Sequence, residues 1–353
     1  MQTYIHRSPF TLESGITLPG YHLGYTVMGK MNQDKSNVVW IFHALTANSD
    51  PSEWWPGLVG TGKLFDPEKY CIVCVNMPGS CYGSIGPMDL NVDSGKTFFH
   101  DFPFFTTRDM IRSYQPLKRE LGIDTIHIGI GGSMGGQQLL EWSVEEPGVF
   151  EYIFPIATNA QHSPWGIAFN ASQRFAIETD PTWLQDDPKA GMEGMKVARS
   201  IALISYRHYE TYHRSQSETD EIRLTGYRSE SYQRYQGEKL AKRFNAFSYH
   251  ALSKGMDAHH VGRNRGGIAA ALRTIKSKTM AIGIKTDILF PATEQQTLAE
   301  LIPEAAFRMI QSDYGHDGFL LESDQIAAHI EDFIRQDKNH FIQTEIISQY
   351  GSA

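Results

Sequence analysis

The sequence predicts an α/β fold in which a mainly parallel sheet carries a helical insertion. Short continuous apolar runs, such as Val38–Phe42, are typical of strands that are covered on both faces. These runs alternate with segments of helical spacing, which indicates right-handed crossovers between parallel strands. From Asn159 to about Ile275 the alternation stops and mostly helical spacing takes its place. We therefore expect a core of residues 1–158 and 276–353 and a helical cap of residues 159–275.

The individual strands and helices follow from hydrophobic periodicity. Apolar runs and alternating segments predict strands at 10–18, 21–28, 38–42, 70–75, 125–130, 149–157, 279–284 and 307–310. Apolar residues three or four apart predict core helices at 107–121, 137–146, 293–301 and 323–335. In the first of these helices, the apolar side is formed by Met110, Ile111, Leu117 and Leu121.

Composition and charge narrow the class of protein. The 353 residues are 41% hydrophobic and 12% aromatic, as in an ordinary globular protein, and the net charge of −8 gives no basic footprint for nucleic acid. No apolar run approaches the ~18–20 residues of a membrane span, and the first residues do not resemble a signal peptide. We expect a cytoplasmic enzyme.

The positions of the three cysteines favour buried thiols over a metal or redox site. Cys71 and Cys74 form a C-x-x-C pair, a spacing that occurs in metal and redox sites. The pair lies inside a predicted strand, however, and the third cysteine, Cys81, forms no second pair. Buried, reduced thiols are therefore the better interpretation.

One glycine-rich stretch carries the strongest chemical signal. Gly131–Gly135 reads G-G-S-M-G and fits the G-x-S-x-G nucleophile elbow between a predicted strand and a predicted helix. Residues two before and two after the serine must be small, because strand and helix nearly touch there. The turn would expose the hydroxyl of Ser133. A glycine-rich turn that only packs closely, or that binds phosphate, is the alternative.

A nucleophilic serine needs a base and an acid that orients it. In α/β-hydrolases these follow the serine in the order Asp or Glu, then His. Asp287 and His316 follow two later predicted strands, at the edge of the sheet where such partners belong. Taken alone, Asp287 could be a turn residue and His316 a loop residue, but the order of all three favours a triad. Asp313 is the rival acid, although it lies too near His316 on the same strand end.

The oxyanion hole is expected to have two backbone donors. One is the amide of Met134, at the start of the helix after the serine, and the other is the amide of Leu45, in the loop after strand 38–42. His43, in the same loop, more plausibly supports the loop than acts as a second base.

These motifs together resemble the homoserine O-acetyltransferase family of the α/β-hydrolase superfamily. The resemblance covers nearly the whole chain in order. It rests on the stretches His43–Thr46, Gly83–Pro87, Thr107–Met110, Gly131–Gly136 with Glu141–Trp142, Gln173–Arg174 with Ala176–Ile177 and Asp180–Pro181, and Gly315–Asp317 with Phe319–Leu320. The segment 249–267 and the run 76–81 depart from the family pattern.

The resemblance implies acyl transfer from a coenzyme A thioester to the hydroxyl of homoserine, the entry step to methionine. Acetyl-CoA, or succinyl-CoA, would be a co-substrate, with no permanently bound cofactor. Arg174 would bind the homoserine carboxylate, and Asp317 its ammonium. The alternative for Arg174 is a helix arginine in an ion pair. A homodimer through the cap is also implied.

The expected mechanism is ping-pong, with His316 as base, Asp287 as orienting acid and Ser133 as the acylated nucleophile. A cap that excludes water would favour transfer over hydrolysis. Homoserine O-succinyltransferase, serine O-acyltransferase and serine esterase remain alternatives, as does an inactive binding module. No metal site is predicted, because His259 and His260 have no third ligand at suitable spacing.

Overall fold

An eight-stranded sheet organises the chain in the computed structural model, which describes the backbone of residues 1–350 and the side chains of residues 1–337 and 339. Its strand order is β1-β4-β6-β5-β9-β10-β11-β12. The strands are β1 (Gln2–His6), β4 (Tyr21–Met28), β5 (Val38–Phe42), β6 (Cys71–Val75), β9 (Ile126–Gly132), β10 (Phe150–Ile156), β11 (Lys278–Ile284) and β12 (Ala306–Ile310). The pairs β1–β4 and β4–β6 are antiparallel, and the others are parallel. The mainly parallel sheet predicted from sequence is thus confirmed.

Two small hairpins accompany the main sheet. One pairs β2 (Phe10–Thr11) with β3 (Thr17–Leu18), and the other pairs β7 (Leu90–Asn91) with β8 (Lys96–Thr97). The expectation of one strand over 10–18 was wrong, because a turn held by the Gly15 amide and the Leu12 carbonyl folds this segment back on itself. The edge strand β1 was not predicted, since its side chains are mostly exposed and give little apolar signal.

Helices cover the sheet and fill the interval between β10 and β11. They are α1 (Pro51–Trp54), α2 (Thr107–Glu120), α3 (Met134–Glu145), α4 (Pro164–Glu178), α5 (Met192–Tyr206), α6 (Tyr209–Gln216), α7 (Arg228–Ala241), α8 (Ala246–Asp257), α9 (Ile268–Leu272), α10 (Ala292–Leu301), α11 (Gly318–Leu321) and α12 (Ser323–Tyr350), with 3-10 turns at Phe99–Asp101 and Gly315–Asp317. The closing helix α12 extends beyond the predicted residue 335.

The parallel strands bury both faces, as their continuous apolar sequences predict. In β5, Trp40 and Phe42 belong to one apolar layer, with Trp142 of α3, while Val39 and Ile41 belong to the other. That second layer also includes Ile326 of α12. The sheet is therefore sandwiched, and its strand ends are the free edge at which a site can form.

The interval between β10 and β11 contains six helices, α4 to α9. Helix α5 packs against α4 and α7, and α4 packs against α8. Within these described residues the extended contacts are confined to an isolated bridge between Gln161 and His260. The expected boundaries at 158/159 and 275/276 fall in the connections on either side of this helical group.

A buried ion cluster links the end of the helical group to the core. Arg265 forms ion pairs with Glu141 and Glu145 of α3, and Glu141 also accepts a 2.6 Å hydrogen bond from Nε of Arg108 on α2. Glu13, in the loop of the first hairpin, pairs with the same Arg108 at 2.8 Å. Because Glu141 is only 1% exposed, its charge depends on these arginines for stabilisation.

Candidate active site

Ser133 lies at a sharp turn between β9 and α3. Its backbone has φ 57° and ψ −128°, a strained conformation for a residue with a side chain. A Cβ atom on Gly131 would lie 2.5 Å from the backbone of Gly135, and one on Gly135 would lie 2.2 Å from the Phe42 carbonyl oxygen. Both positions therefore require glycine for steric reasons, as the elbow spacing predicts.

His316 and Asp287 form a buried pair. Nδ1 of His316 lies 2.7 Å from Oδ2 of Asp287, and the two side chains are 3% and 0% exposed. The other carboxylate oxygen, Oδ1, accepts hydrogen bonds of 2.8 and 2.9 Å from the amides of Leu289 and Phe290. The carboxylate is thus held in place from both sides, and the ring of Phe290 stacks on the imidazole at 5.1 Å.

Asp313, the alternative acid, forms its ion pair with a residue other than His316. Asp313 is exposed and pairs with Arg214 on α6 at 3.2 Å. His316 makes its ion pair with Asp287 instead, so the geometry brings together the acid and the base that the sequence order selects.

A cavity of about 400 Å³ opens over the serine. Ser133, His316, Asp317 and Leu45 all line it. Most of the remaining lining residues come from the loop after β5, from α1 and from the cap: Ala44, Thr46, Ala47, Asn48, Glu53, Trp54, Arg199, Tyr206, Lys239, Arg243, Phe319 and Leu320. Four of the predicted site residues, with the predicted base His316 among them, thus line one open cavity.

The two predicted oxyanion donors lie on either side of the elbow. Met134 is the first residue of α3, so its amide has no acceptor within the helix. Leu45 follows the end of β5, which the close approach of Gly135 to Phe42 places beside the elbow. His43 supports this loop: its Nδ1 bonds with the Ala44 carbonyl at 2.9 Å, and its Nε2 accepts from the Met77 amide at 3.1 Å. Burial lowers the pKa of His43 to about 4, so the ring is neutral at pH 7.

The structure does not bring Arg174 to the cavity. Its guanidinium on α4 pairs with Asp257 at 2.6 Å and donates to Oγ of Ser253 at 3.1 Å. Arg174 is not among the residues that line the serine cavity. The ion pair with Asp257 matches the alternative that the sequence left open, and the assignment of Arg174 to the homoserine carboxylate stays a prediction.

Asp317, by contrast, lies at the cavity wall. One carboxylate oxygen is 3.0 Å from Nε of Arg207. Burial raises the pKa of Asp317, and the positive charges of Arg207, His316 and Arg199 oppose this rise. The ion pair with Arg207 thus offsets part of the negative charge of Asp317. The same carboxylate lines the cavity in which a substrate would lie.

Sequence reasoning missed Arg199 and Tyr206. They lie seven residues apart on α5, a spacing that places both on one helix face, with the guanidinium 5.6 Å from the centre of the Tyr206 ring. That ring in turn lies 5.7 Å from the ring of His316. The helical spacing was a usable signal, but it could not show which helix of the cap faces the serine.

His259 and His260 have other partners. His259 bonds with Thr107 at 2.9 Å and with the Asn159 carbonyl at 3.1 Å, while His260 accepts from the Gly262 amide at 3.1 Å. Burial lowers the pKa of His259 to about 3. Among the side chains that the structure describes, no group of three or more His, Cys, Asp or Glu residues is arranged to hold a metal ion.

The three cysteines are free, and Cys71 and Cys74 lie in β6, which confirms the prediction that the thiols of this C-x-x-C pair are buried. Burial raises the pKa of each of these thiols. Within the part of the chain described, no helix combines the length and apolar character needed to cross a bilayer.

Comparison with known proteins places this architecture in a family. The family described as alpha/beta hydrolase fold matches residues 37–323. A homoserine O-acetyltransferase from Cyclobacterium marinum is 48% identical over 323 residues, which cover 92% of each chain. Among solved structures, a homoserine O-acetyltransferase from Bacillus anthracis aligns with a TM-score of 0.86 at 23% identity over 94% of this chain and 96% of that one. Esterase E22 aligns at 0.85 and 22% identity over 94% and 98%, a likeness that concerns the fold alone. The chain belongs to the homoserine O-acetyltransferase family of the α/β-hydrolase fold.

Proposed function

We propose that this chain transfers the acetyl group of acetyl-CoA to the side-chain hydroxyl of L-homoserine, a step of methionine biosynthesis. The observation that carries the proposal is the buried Asp287–His316 pair, whose histidine lines one cavity with Ser133, in a chain 48% identical to a homoserine O-acetyltransferase. A bare serine hydroxyl is a weak nucleophile, and this arrangement supplies the base and the orienting acid that it needs.

In the first half-reaction His316 removes the proton of Ser133 as its oxygen attacks the thioester carbonyl. The amides of Met134 and Leu45 stabilise the oxyanion. The tetrahedral intermediate collapses, the C–S bond breaks, and His316 returns the proton to the departing thiolate. Asp287 holds the imidazole in the correct tautomer and stabilises its cation. Acetyl-Ser133 is left, and no other cofactor takes part.

In the second half-reaction the homoserine hydroxyl loses its proton to His316 and attacks acetyl-Ser133. Collapse of this intermediate breaks the ester bond to the serine, which recovers the proton. The cavity offers an amino acid two complementary charges, since Arg199 and Asp317 both line it. We assign the carboxylate to Arg199, in place of Arg174, and the ammonium to Asp317.

The cap is also the proposed dimer surface. Exposed apolar side chains cluster on α5 to α7 and the loops that join them; they include Ile204, Tyr209, Ile222, Leu224, Tyr227 and Tyr235. Three of these side chains, Ile204, Tyr209 and Tyr227, line one groove, and exposed apolar side chains grouped in this way are typical of an interface. We propose a homodimer through this face. Sedimentation equilibrium would measure it, and a monomer at micromolar concentration would contradict it.

The cellular setting is proposed on the same basis. The three free cysteines suit a reducing compartment, and we place the enzyme in the cytoplasm.

A matrix of donors and acceptors tests the reaction. Acetyl-CoA and succinyl-CoA are each offered with L-homoserine, L-serine or no acceptor, and thiol release and acylated product are both measured. We expect acetyl-CoA with homoserine to be turned over fastest, with little thiol release when the acceptor is absent. Equal release with and without acceptor would instead indicate a hydrolase, and faster turnover of succinyl-CoA or serine would identify one of the related transferases.

A further inference from the structure

Three cations that line the serine cavity form no direct ion pair among the described residues, although the charge of Arg199 acts on the nearby carboxylate of Asp317 and opposes the rise in its pKa that burial causes. Arg199, Lys239 and Arg243 belong to its wall, and within the described part of the chain none of them forms an ion pair. Neighbouring cations of the cap are neutralised. Arg174 pairs with Asp257, Arg207 with Asp317, and Lys196 with Glu193 and Glu238. Because the chain as a whole is acidic, this local excess of positive charge points to an anionic ligand.

The three cations lie at different depths. Arg199 is partly buried and contacts Tyr206, which lies against His316. Lys239 and Arg243 are exposed and lie four residues apart, at the end of α7 and just beyond it. Arg199 is therefore close to the reacting groups, whereas Lys239 and Arg243 border the mouth of the cavity.

Arg243 is held in place and still has donors to spare. Its Nη1 donates to the Thr46 carbonyl at 2.5 Å and to the Tyr82 hydroxyl at 2.6 Å. A guanidinium has five N–H groups, so Nη2 and Nε remain available to an anion. This anchoring fixes the charge beside the loop that carries Leu45, and a fixed fork of donors suits phosphate oxygens.

The proposed donor has its negative charges far from its reacting carbon. In acetyl-CoA the thioester lies at the end of the uncharged pantetheine arm, and the diphosphate and ribose phosphate lie at the other end. When the carbonyl reaches Ser133, the phosphates are left at the mouth. Building on the proposed function, we propose that Lys239 and Arg243 form a phosphate subsite for the coenzyme A donor. Besides Asp317, the described cavity lining contains one carboxylate, that of Glu53. It accepts a 2.9 Å hydrogen bond from Asn48 and forms no ion pair with Lys239 or Arg243 among the described contacts.

A subsite of this kind stabilises the complex through a part of the donor that does not react. Charge-assisted hydrogen bonds to phosphate are stronger than neutral ones, and at an exposed mouth they weaken as salt is added. The pantetheine arm and the acetyl group should not be affected, because they contact neither cation in this arrangement.

The test compares two donors in matched variants. The ratio of kcat/KM for acetyl-CoA to kcat/KM for acetyl-pantetheine is measured in the wild type, Lys239→Gln, Arg243→Gln and the control Lys242→Gln. Lys242 is an exposed cation between the two and does not line the cavity. We expect Lys239→Gln and Arg243→Gln each to lower the ratio by about tenfold, a loss typical of one charged contact. Lys242→Gln should leave it unchanged. Salt should lower the ratio equally in the wild type and in Lys242→Gln, and less steeply in Lys239→Gln and Arg243→Gln, which each retain one of the two cations.

Arg243→Gln also breaks the contact with Thr46, so this variant should slow turnover of both donors. Only the phosphate contribution changes the ratio, which separates the two effects. A wild-type ratio near one, or an equal change in Lys242→Gln, would overturn the proposal.

The proposed function can fail separately. If the wild type acetylates homoserine from neither donor, the reaction is wrong, and binding of CoA to Ser133→Ala protein still tests the subsite by calorimetry. Binding that Lys239→Gln and Arg243→Gln weaken would then support the subsite, and binding that they leave unchanged would refute it.

Discussion

At the scale of single residues, the acid of the proposed triad is the clearest case. Asp287 forms a hydrogen bond with His316 and accepts two more from backbone amides. Asp313 instead forms an ion pair with Arg214 at the surface. We expect Asp287→Asn to lower kcat by about 10⁴-fold, the cost of losing the correct imidazole tautomer. Asp313→Asn is the matched control and should retain near-normal steady-state activity. The reverse pattern would mean that Asp313 is the orienting acid.

The choice between two arginines can be decided by separating the half-reactions. Arg199 lines the serine cavity and Arg174 does not, so Arg199→Ala should raise the KM for homoserine and spare the acylation burst. A truncated charged contact costs about 2–5 kcal/mol, of which Arg199→Lys should recover only part. Arg174→Ala should leave the KM unchanged, although it removes the ion pair of Asp257 and leaves that carboxylate with the hydrogen bond from Asn170. Rapid-quench kinetics measures the burst; a raised KM in Arg174→Ala alone would restore the original assignment.

The triad residues and the two arginines differ in how far the sequence could place them. Ser133, Asp287 and His316 could be predicted because each follows a strand of the sheet, and the strands bring their ends together. Arg174 and Arg199 both lie on cap helices, α4 and α5, where no repeating topology says which face meets the sheet. Side-chain direction there depends on tertiary packing, which hydrophobic periodicity does not specify.

At the scale of elements, the ion cluster attaches the end of the cap to α2 and α3. Arg265→Ala leaves Glu141, which is 1% exposed, with Arg108 as its remaining partner. We expect a loss of about 3–5 kcal/mol in the free energy of unfolding, as for a broken buried pair. The control is Arg234→Ala, since Arg234 and Glu230 are both exposed and such a pair is worth ~0–1 kcal/mol. Equal effects in urea titrations would contradict this account.

Helix α10 carries a carboxyl group with an unusual pKa. Burial, followed by the nearby charge of Asp287, raises the pKa of Glu294 to about 7, against a hydrogen bond from Asn159. At pH values between about 4.5 and 7, the carboxyl group of Glu294 is therefore protonated in the folded chain and ionised in the unfolded chain. Between these values the folded state binds more protons, so this group makes stability fall as pH rises.

Replacing Glu294 by glutamine removes the titrating carboxyl group. Glu294→Gln should make the melting temperature less dependent on pH between about 4.5 and 7 than in the wild type. Glu300→Gln, at an exposed position of the same helix, is the control and should retain the wild-type slope. If the two variants give the same slope, Glu294 does not titrate in this range.

Most core elements could be predicted because their signals are local. The strand β5 has the predicted bounds, and α2 begins at the predicted Thr107 after a capping box formed by Thr106 and Asp109. The short hairpins and β1 could not be predicted, since strands of two residues or with mostly exposed side chains carry little periodicity.

At the scale of the whole molecule, the sheet carries the proposed triad and the cap carries the charged side chains around it. Ser133, Asp287 and His316 come from the core. Arg199 comes from α5, Lys239 from α7, and Arg243 from the loop that follows α7. The cap thus has two proposed tasks, selection of an anionic donor and acceptor and exclusion of water from the acylated serine. Hydrolases that share this fold need neither task.

The central claim is that Ser133 carries the acetyl group between the two substrates. The most direct measurement mixes the enzyme with acetyl-CoA alone, quenches it within milliseconds to seconds, and follows intact mass and peptide mass. We expect one acetyl group on the peptide that contains Ser133, its loss when L-homoserine is added, and no label in Ser133→Ala. Acetylation of homoserine without this intermediate, or a label on another residue, would contradict the account.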